Sequence, residues 1–236
     1  MGGGGGAGAT TSQGGAGATG GADAGPVVLP IVEVKAGDEQ GVPLRLGETV
    51  TIRGVVTVPT DVFSLENNEL YVQDATGGIS VYEANWQSIQ AALGDDLEVT
   101  GTVGQYEGKT EIDYPLFVLH GTGLPAPTPE EVTPAELCAA GEPFEGNLVV
   151  FRSVSIVGGE AWPTVNQEGN ANLTVDDGSG PCTLRLDHHT EFNGSPEPAQ
   201  PFDAVGVVKQ YDATSPYFSG YELQPRFLTD VTPSGG

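Results

Sequence analysis

The chain has 236 residues and a formal net charge of −24, with 8 Lys and Arg against 32 Asp and Glu. Binding to a phosphate backbone or an anionic membrane needs clustered Lys and Arg, and the sequence shows no such cluster, so the charge argues against both partners. No apolar run reaches the roughly 18 residues of a membrane-spanning helix.

The chain begins with a stretch of low complexity. Residues 1–26 are almost all Gly, Ala, Thr and Ser, which cannot offset the entropy of an ordered backbone. We therefore expect a flexible tail or tether over 1–26. The remaining residues, about 210, are enough for two small domains of roughly 100 residues each.

The first unit has the pattern of an all-β domain. Its strand-like segments alternate apolar and polar residues and are separated by Gly- and Asp-containing turns, at Val50–Val58, Leu70–Tyr82, Leu97–Tyr106 and Thr110–Leu119. Between the third and fourth strands, Trp86–Leu93 has apolar residues at helical spacing, which predicts a short amphipathic helix.

A Pro-rich stretch connects the first unit to the second. Leu124–Pro134 predicts an extended linker, and Thr133 followed by Pro134 predicts a helix start, with the helix running to about Ala140. The strand patterns of the second unit then follow at Val149–Val157, Leu173–Arg185, Phe202–Tyr211 and Tyr221–Leu223.

These patterns repeat in the same order, which indicates a duplication. The turn that Asp74 opens returns at Asp177, and Gln105-Tyr106 returns as Gln210-Tyr211. We predict an all-β protein of two tandem five-stranded barrels of the OB type with short helices. The predicted divisions are a tail over 1–26, a first domain over 27–123, a linker and short helix over 124–141, and a second domain over 142–236.

The motifs also carry a resemblance. LYVQDATGGISVY at 70–82 and LEVTGTVGQYEGKTEI at 97–112 resemble OB-fold modules of secreted bacterial proteins, which accompany extracellular nucleases and occur in cell-surface lipoproteins. LTVDDGSG at 173–180 and YELQPR at 221–226 resemble the divergent second member of tandem pairs. The Gly-rich start is similar to the tethers that follow the lipidated Cys of surface lipoproteins. The resemblance implies a fold and an extracellular or outer-surface location with bacterial-type secretion, and an upstream lipid anchor would fit it.

The sequence offers little for catalysis. Asp187-His188-His189 matches the D-H-H triplet of a phosphoesterase superfamily, but the other acidic and His motifs of that superfamily are missing. His120 is the only further His, and no phosphate-binding Gly loop or nucleophile elbow is present. We therefore expect no enzymatic activity, no catalytic residue and no resident metal or cofactor, apart from Ca²⁺ as a weak candidate.

The acidic turns and the cysteines give two further expectations. Asp74, Asp176 and Asp177 place oxygen ligands in turns, although Ca²⁺ takes six to eight oxygens and the same residues commonly stabilise turns through Asx contacts. Cys138 and Cys182 predict a disulfide that pins the linker helix to the second barrel, worth roughly 3–4 kcal/mol, with two buried free thiols as the alternative.

Exposed aromatic residues are the candidates for interaction, since OB barrels bind ligands on one face. We single out Trp86, Trp162, Tyr217 and Phe218, with Tyr217-Phe218 in a long loop of the second unit. Tyr106 and Tyr211 occupy equivalent positions, which favours a structural role for both.

Three functions fit these observations. The first is a non-catalytic extracellular structural protein that assembles with copies of itself into a filament or tube, with the N-terminal tail held by a neighbouring subunit. The second is a surface-tethered OB-fold binding module for a glycan, a nucleic acid or a small ligand. The third is an accessory domain of a secreted hydrolase.

Overall fold

The computed structural model describes residues 1–5, 25–65, 67–84, 90–165 and 167–235. The first unit is a closed five-stranded barrel in the order β1-β2-β3-β5-β4. Neighbours pair antiparallel except β3 and β5, which pair parallel. The strands are β1 Thr49–Val58, β2 Asn68–Gln73, β3 Gly78–Glu83, β4 Asp96–Tyr106 and β5 Lys109–Gly121. The predicted all-β fold of the OB type is confirmed.

The second unit repeats this order within a larger sheet. Its strands run β12-β10-β11-β9-β8-β7-β6, and a further pairing of β10 with β7 joins the ends of the five equivalent strands. β9 and β11 are parallel, as β3 and β5 are in the first barrel. The strands are β6 Glu130–Glu131, β7 Leu148–Gly159, β8 Ala171–Asp176, β9 Cys182–Leu186, β10 Phe202–Gln210, β11 Tyr221–Gln224 and β12 Val231–Pro233.

Each barrel closes around its own apolar core. The inward positions of the strands are aliphatic in the first barrel and include Phe151 and Phe202 in the second, because alternate residues of a strand face the same side. Fully burying one such side chain contributes about 1.5–3 kcal/mol. The largest fully buried side chains of the two cores are Ile31, Ile52, Leu70, Ile79 and Ile112 in the first and Leu137, Phe151, Leu173, Phe192 and Phe202 in the second.

The helices only partly follow the predictions. α2, Pro134–Ala140, begins where predicted, and the Thr133 hydroxyl accepts a hydrogen bond from the Glu136 amide at 3.2 Å. α1, Ile31–Lys35, was not predicted, because five residues are too few to show a helical period. The predicted helix over Trp86–Leu93 is wrong for residues 90–93, which are not helical, and residues 85–89 lie outside the described ranges.

The stretch between the barrels belongs structurally with the second one. β6 pairs parallel with β7, and α2 buries Leu137 in the second core. The Cys138–Cys182 disulfide joins α2 to β9, which confirms the predicted bond. The exact domain boundaries that the sequence predicts stay predictions.

The two barrels meet in a joint that is both apolar and polar. Val58, Phe63 and Tyr71 of the first unit pack with Val207 of the second. The hydrogen bonds that cross the joint include Gly78 N to Asn147 Oδ1 at 2.6 Å, Leu148 N to Gln73 Oε1 at 3.0 Å, Thr110 N to Glu145 Oε1 at 3.2 Å and Arg226 Nη1 to the Thr57 carbonyl at 2.6 Å. Because these contacts hold the two barrels together, a groove between them is a fixed feature of the fold.

Within the described ranges, none of the helices has the length and apolar character needed to cross a membrane.

Candidate functional site

A cleft of about 460 Å³ opens along the joint between the barrels. The first barrel lines it with the β1–β2 loop, with β2 and β3, and with the adjoining ends of β4 and β5. The second barrel contributes the residues around β8 and β9 and the end of β10. The lining residues are Phe63, Ser64, Asn67, Glu69, Tyr82, Tyr106, Lys109, Glu111, Asn170, Arg185, Asp187, His188, Lys209 and Gln210.

Equivalent positions of the two repeats face each other across this cleft. Asn67 and Asn170 each lie three residues before the matched Leu70 and Leu173, and both line the cleft. Tyr82 and Arg185 are the penultimate residues of the matched strands β3 and β9. The face of strands two and three, with its flanking loops, is the surface that OB folds use for oligonucleotides and oligosaccharides. The cleft therefore brings together the ligand-binding faces of both barrels.

The cleft also gathers charged side chains of both signs, since the carboxylates of Glu69, Glu111 and Asp187 line it beside three cations. Three of the eight Lys and Arg residues line it, namely Lys109, Arg185 and Lys209. Both lysines contact the carboxylate of Glu69, with Lys109 Nζ 2.6 Å from Oε1 and Lys209 Nζ 2.8 Å from Oε2. Lys109 Nζ also lies 3.0 Å from Glu111 Oε2. Two ammonium groups share one carboxylate, so Glu69 and its two lysines together carry a net positive charge. The Glu111 carboxylate, which contacts Lys109, offsets that charge.

The protonation states of this group are fixed by its neighbours. Burial alone would raise the pKa of Glu69, yet Lys109 and Lys209 hold that pKa well below its usual range. Burial would likewise lower the pKa of Lys109, but Glu69, Tyr71 and Glu111 hold it well above the usual value. Lys109 and Glu69 are therefore both charged at neutral pH and form an ion pair at the floor of the cleft.

Aromatic rings flank the charges. Tyr106 is 58% exposed at the end of β4, and Tyr82 is half-buried on β3. The Phe63 ring lies 5.3 Å from Lys209 Nζ, within the range of a cation–π contact. Exposed rings beside cations provide stacking surfaces next to sites for anionic groups.

Gln210 adds an unused acceptor to the cleft lining. Its Nε2 donates to the carbonyls of Tyr217 and Ser219 at 3.0 and 3.1 Å. Its Oε1 is buried and has no hydrogen-bond partner among the described residues. Buried polar atoms normally find a partner, but at 3% exposure the Gln210 side chain offers little surface to a ligand.

The aromatic residues that the sequence singled out lie elsewhere. The Trp162 indole packs edge-on against Phe192 at 5.8 Å and donates to the Ser195 carbonyl at 3.0 Å, so it is part of the second core. The Tyr217 amide donates to the Gln40 carbonyl, and Phe218, 43% exposed, follows in the same loop. None of the three lines the cleft, and Trp86 lies outside the described residues.

The acidic turns use their carboxylates for local hydrogen bonds. Asp74 accepts from the amides of Ile31, Thr76 and Gly77. Asp176 accepts from Gly178 and Gly180, and Asp177 accepts from Ser179. These are Asx contacts that shape the turns after β2 and β8, and Ca²⁺ binding there stays a prediction.

The cations of the cleft could not be recognised as a cluster from sequence. Lys109, Arg185 and Lys209 are far apart along the chain, and only the strand order brings them together. The repeat was the sequence signal that could have pointed to the cleft residues. Tyr82 occupies the same strand position as Arg185, and Tyr106 the same position as Tyr211.

The chain is similar in sequence to part of an endonuclease. It is 27% identical over 194 residues to Endonuclease YhcR of Bacillus subtilis (strain 168), a match that covers 79% of this chain and 15% of that protein. The chain therefore spans a small part of that relative's length. None of the protein-family models matches the chain, so the tandem-module resemblance has no family assignment behind it.

Solved structures show only loose likeness. A murine DNA-binding protein bound to double-stranded DNA aligns with 79% of this chain and 97% of its own length, at a TM-score of 0.39 and 10% identity. The Ifi202 HINa domain in complex with a 20-base-pair duplex covers 75% and 93%, at 0.36 and 11%. The aspartyl-tRNA synthetase of Entamoeba histolytica covers 46% and 24%, at 0.36 and 16%. Likeness at this level carries no argument about ligands.

The sequence relative corrects one prediction and reopens another. The prediction that the chain is not an enzyme is contradicted, because most of the chain aligns with part of a protein named as an endonuclease. The prediction that nucleic acid is disfavoured rested on charge alone and no longer holds for the cleft, where three cations converge. The comparisons favour a binding module, and the described residues give no support for a filament.

The disulfide bears on the cellular location. Disulfide bonds persist in oxidising compartments such as the exterior of the cell, so the Cys138–Cys182 bond fits an extracellular protein.

Proposed function

We propose that this chain is a nucleic-acid-binding module of an endonuclease-related extracellular protein, and that it holds a short single-stranded segment in the cleft between its barrels. The observation that carries the proposal is the cleft itself. In a chain with a net charge of −24, three of the eight cations lie with the exposed Tyr106 and the half-buried Tyr82 on the joined faces of two OB barrels. The similarity to an endonuclease supports the choice of ligand.

The chemistry of the lining fits single-stranded nucleic acid. Stacking of a base on an aromatic side chain contributes about 1–3 kcal/mol, and the exposed ring of Tyr106 is placed for this contact. Arg185, 28% exposed in its side chain, offers a planar donor fork for phosphate. The Asn67 amide and the amide nitrogen of Asn170 provide polar groups for base edges.

The acidic surface limits the length and form of the ligand. Outside the cleft, a net charge of −24 repels an extended polyanion, so contacts with many phosphates are unfavourable. We therefore expect a segment of a few nucleotides with one or two phosphate contacts, and weaker binding of duplex DNA, whose bases are stacked inside the helix.

The location follows the same proposal. The Gly-rich stretch of residues 1–26 would serve as a flexible tether, either to another part of a longer protein or to an anchor at the outer cell surface. In this arrangement the cleft would keep single-stranded substrate close to the site that cuts it.

The direct test is a fluorescence anisotropy titration with a labelled thymidine hexamer, a matched duplex and an oligosaccharide. We expect saturable binding of the hexamer and a logarithmic salt slope of about −0.7 to −1.4, which corresponds to one or two phosphates released from counterions. No binding of the hexamer, or binding of the oligosaccharide alone, would contradict the proposal.

A pair of arginine variants separates the cleft from general electrostatics. Arg185→Gln removes a cleft cation, whereas Arg152→Gln removes an exposed cation of β7 that pairs with Asp203 at 2.7 Å and is not part of the cleft lining. We expect the first to weaken hexamer binding and lower the salt slope by about 0.7, and the second to change neither. Equal losses in both variants would mean that the oligonucleotide binds without using the cleft.

A further inference from the structure

A compact cluster of metal-ligand side chains lies at the edge of the cleft formed by the second barrel. Asp187, His188 and His189 directly follow β9, and their donor atoms all lie within 4.8 Å of one another. Asp187 is nearly buried, with 7% of its side chain exposed, whereas His188 and His189 are 38% and 23% exposed. The cluster is therefore anchored at one side and open to solvent at the other.

The donor atoms already have the spacing of a chelate. Asp187 Oδ1 lies 3.1 Å from His189 Nδ1 and 3.8 Å from His188 Nδ1. Asn170 Oδ1 lies 2.8 Å from His188 Nδ1. Ligands of a tetrahedral ion with bonds of 2.0–2.2 Å are about 3.4 Å apart, so each of these three distances differs from that spacing by about 0.6 Å or less.

Neighbouring hydrogen bonds hold the donors in place. The amide of His188 donates to Asn170 Oδ1 at 2.9 Å, and the amide of His189 donates to Asp187 Oδ1 at 2.9 Å. Gln224 Nε2 donates to the other carboxylate oxygen of Asp187 at 3.2 Å. The bond from the His188 amide identifies the acceptor atom of Asn170 as its oxygen. The bonds from His189 and Gln224 hold the Asp187 carboxylate beside the imidazoles. Such outer contacts are what orients ligands in metal sites.

We propose that Asp187, His188 and His189 bind one divalent transition-metal ion of the Zn²⁺ class, with Asn170 Oδ1 as the fourth donor. The ion takes the place of the protons on the two Nδ1 atoms, which shift to Nε2, so that both imidazoles stay neutral. Imidazole and carboxylate ligands together favour Zn²⁺, Co²⁺ or Ni²⁺ over Ca²⁺, which takes oxygen ligands. From sequence alone this triplet carried little weight, because three residues are a weak signal and the other acidic and His motifs of the superfamily are missing. The approach of Asn170 to His188 is visible only in the fold.

The position gives the ion a role at the cleft. Asn170, Asp187 and His188 are all part of the cleft lining, so the ion would add positive charge where an acidic chain needs it to hold a phosphate. This role rests on the proposed function, whereas binding of the ion does not.

The test uses untagged, chelator-treated protein titrated with Zn²⁺ by calorimetry and with Co²⁺ by visible absorption. We expect one ion per chain and the absorption bands of four-coordinate Co²⁺. His188→Gln and His189→Gln should each abolish this binding, and Asn170→Ala should weaken it about 10- to 100-fold. The matched controls are His120→Gln, which changes the one other His, and Asn67→Ala, which changes the equivalent amide of the first barrel. Both control variants should bind Zn²⁺ and Co²⁺ as the parent chain does.

A measurement on the parent chain tests the site even if the variants fail to fold. In proton NMR spectra of the parent chain, the ring signals of two histidines should shift on addition of Zn²⁺ while the third, His120, stays in place. No saturable binding, binding retained in the two His variants, or a shift of all three histidines would overturn the proposed site.

The role at the cleft is tested separately by hexamer titrations with Zn²⁺ and with chelator. Tighter hexamer binding with the ion supports both the site and its role. An ion that binds as described but leaves hexamer affinity unchanged supports the site and removes its role at the cleft.

Discussion

The two barrels have the same strand order but bring different chemistry to the cleft that they share. The first contributes the rings of Tyr82 and Tyr106 and one cation, Lys109. The second contributes two cations, Lys209 and Arg185, and the His188 imidazole, with Arg185 at the position of Tyr82. Tyr106 and Tyr211 are each 58% exposed, yet only Tyr106 lines the cleft. Duplication therefore supplied two ligand-binding faces, and divergence at equivalent positions made them complementary.

Two glycine positions that did not diverge are constrained by the fold. Gly101 in β4 and Gly206 in β10 are equivalent, and a Cβ at either would lie within 2.5 and 2.7 Å of the neighbouring strand's atoms. Any side chain there would push strands apart in both barrels. Positions on the open face lack this constraint, and that is where the two copies differ.

The largest expected effect comes from breaking the ion-pair network at the joint. Glu69→Gln would leave the half-buried Lys209 without its carboxylate and the buried Lys109 with Glu111 alone, and we expect the free energy of unfolding to fall by about 3–5 kcal/mol. Urea denaturation measures this. Glu48→Gln, in an exposed pair with Arg45, should cost about 0–1 kcal/mol. Similar values for the two variants would mean that the network does not hold the barrels together.

Removing the disulfide should affect the second barrel alone. Cys138→Ser with Cys182→Ser opens a loop with a sequence separation of 44, which the chain-entropy relation values at about 4 kcal/mol. Native-state hydrogen exchange resolves the barrels separately. We expect faster exchange in β7–β11 and little change in β1–β5. A uniform loss of protection would show that the barrels unfold as one unit.

A buried carboxylate at the joint predicts how stability depends on pH. Burial raises the pKa of Glu145 from an ordinary 4.5 to about 7. Between these values the folded chain keeps a proton that the unfolded chain has lost, so this group lowers stability as pH rises through that window. Glu145→Gln should match the parent near pH 4.5 and gain up to about 3 kcal/mol by pH 8, as measured by urea denaturation. Glu130→Gln, an exposed carboxylate on β6, should follow the parent at every pH.

The smallest expected effect is on hexamer binding, and it compares two tyrosines at equivalent positions of the repeats. Tyr106→Ala should weaken hexamer binding by about 1–3 kcal/mol through loss of base stacking, whereas Tyr211→Ala should leave the affinity unchanged. The two tyrosines match in exposure and repeat position, so only their distance from the cleft separates them. Equal effects would contradict a ligand site confined to the joint.

Much of the fold could be predicted from the sequence because it follows from local patterns. The alternation in Val50–Val58 and the Asx turn at Asp74 are properties of neighbouring residues. Each recurs at the equivalent position of the second unit. The cap at Thr133 and the disulfide partners also follow from local sequence or from having only two cysteines. α1 was missed because its five residues are held by contacts with the β2–β3 turn, such as Ile31 N to Asp74 at 3.0 Å.

The candidate site could not be predicted in the same way, because it depends on how the barrels are joined. Lys109 and Lys209 belong to different repeats and meet only on Glu69. Trp162 looked exposed in sequence but packs on Phe192, since its loop folds back over the second barrel. Contacts between repeats leave no periodic signal in a single sequence.

The most direct test of the central claim is photo-crosslinking of a 5-bromouracil hexamer to the intact chain, with the modified residues mapped by peptide mass spectrometry. A ligand that lies in the joint should form adducts with Tyr82, Tyr106 or Phe63, and Arg185→Gln should reduce their yield. Adducts on Tyr114 or Tyr211, which are exposed outside the cleft, or no adduct at all, would contradict the account.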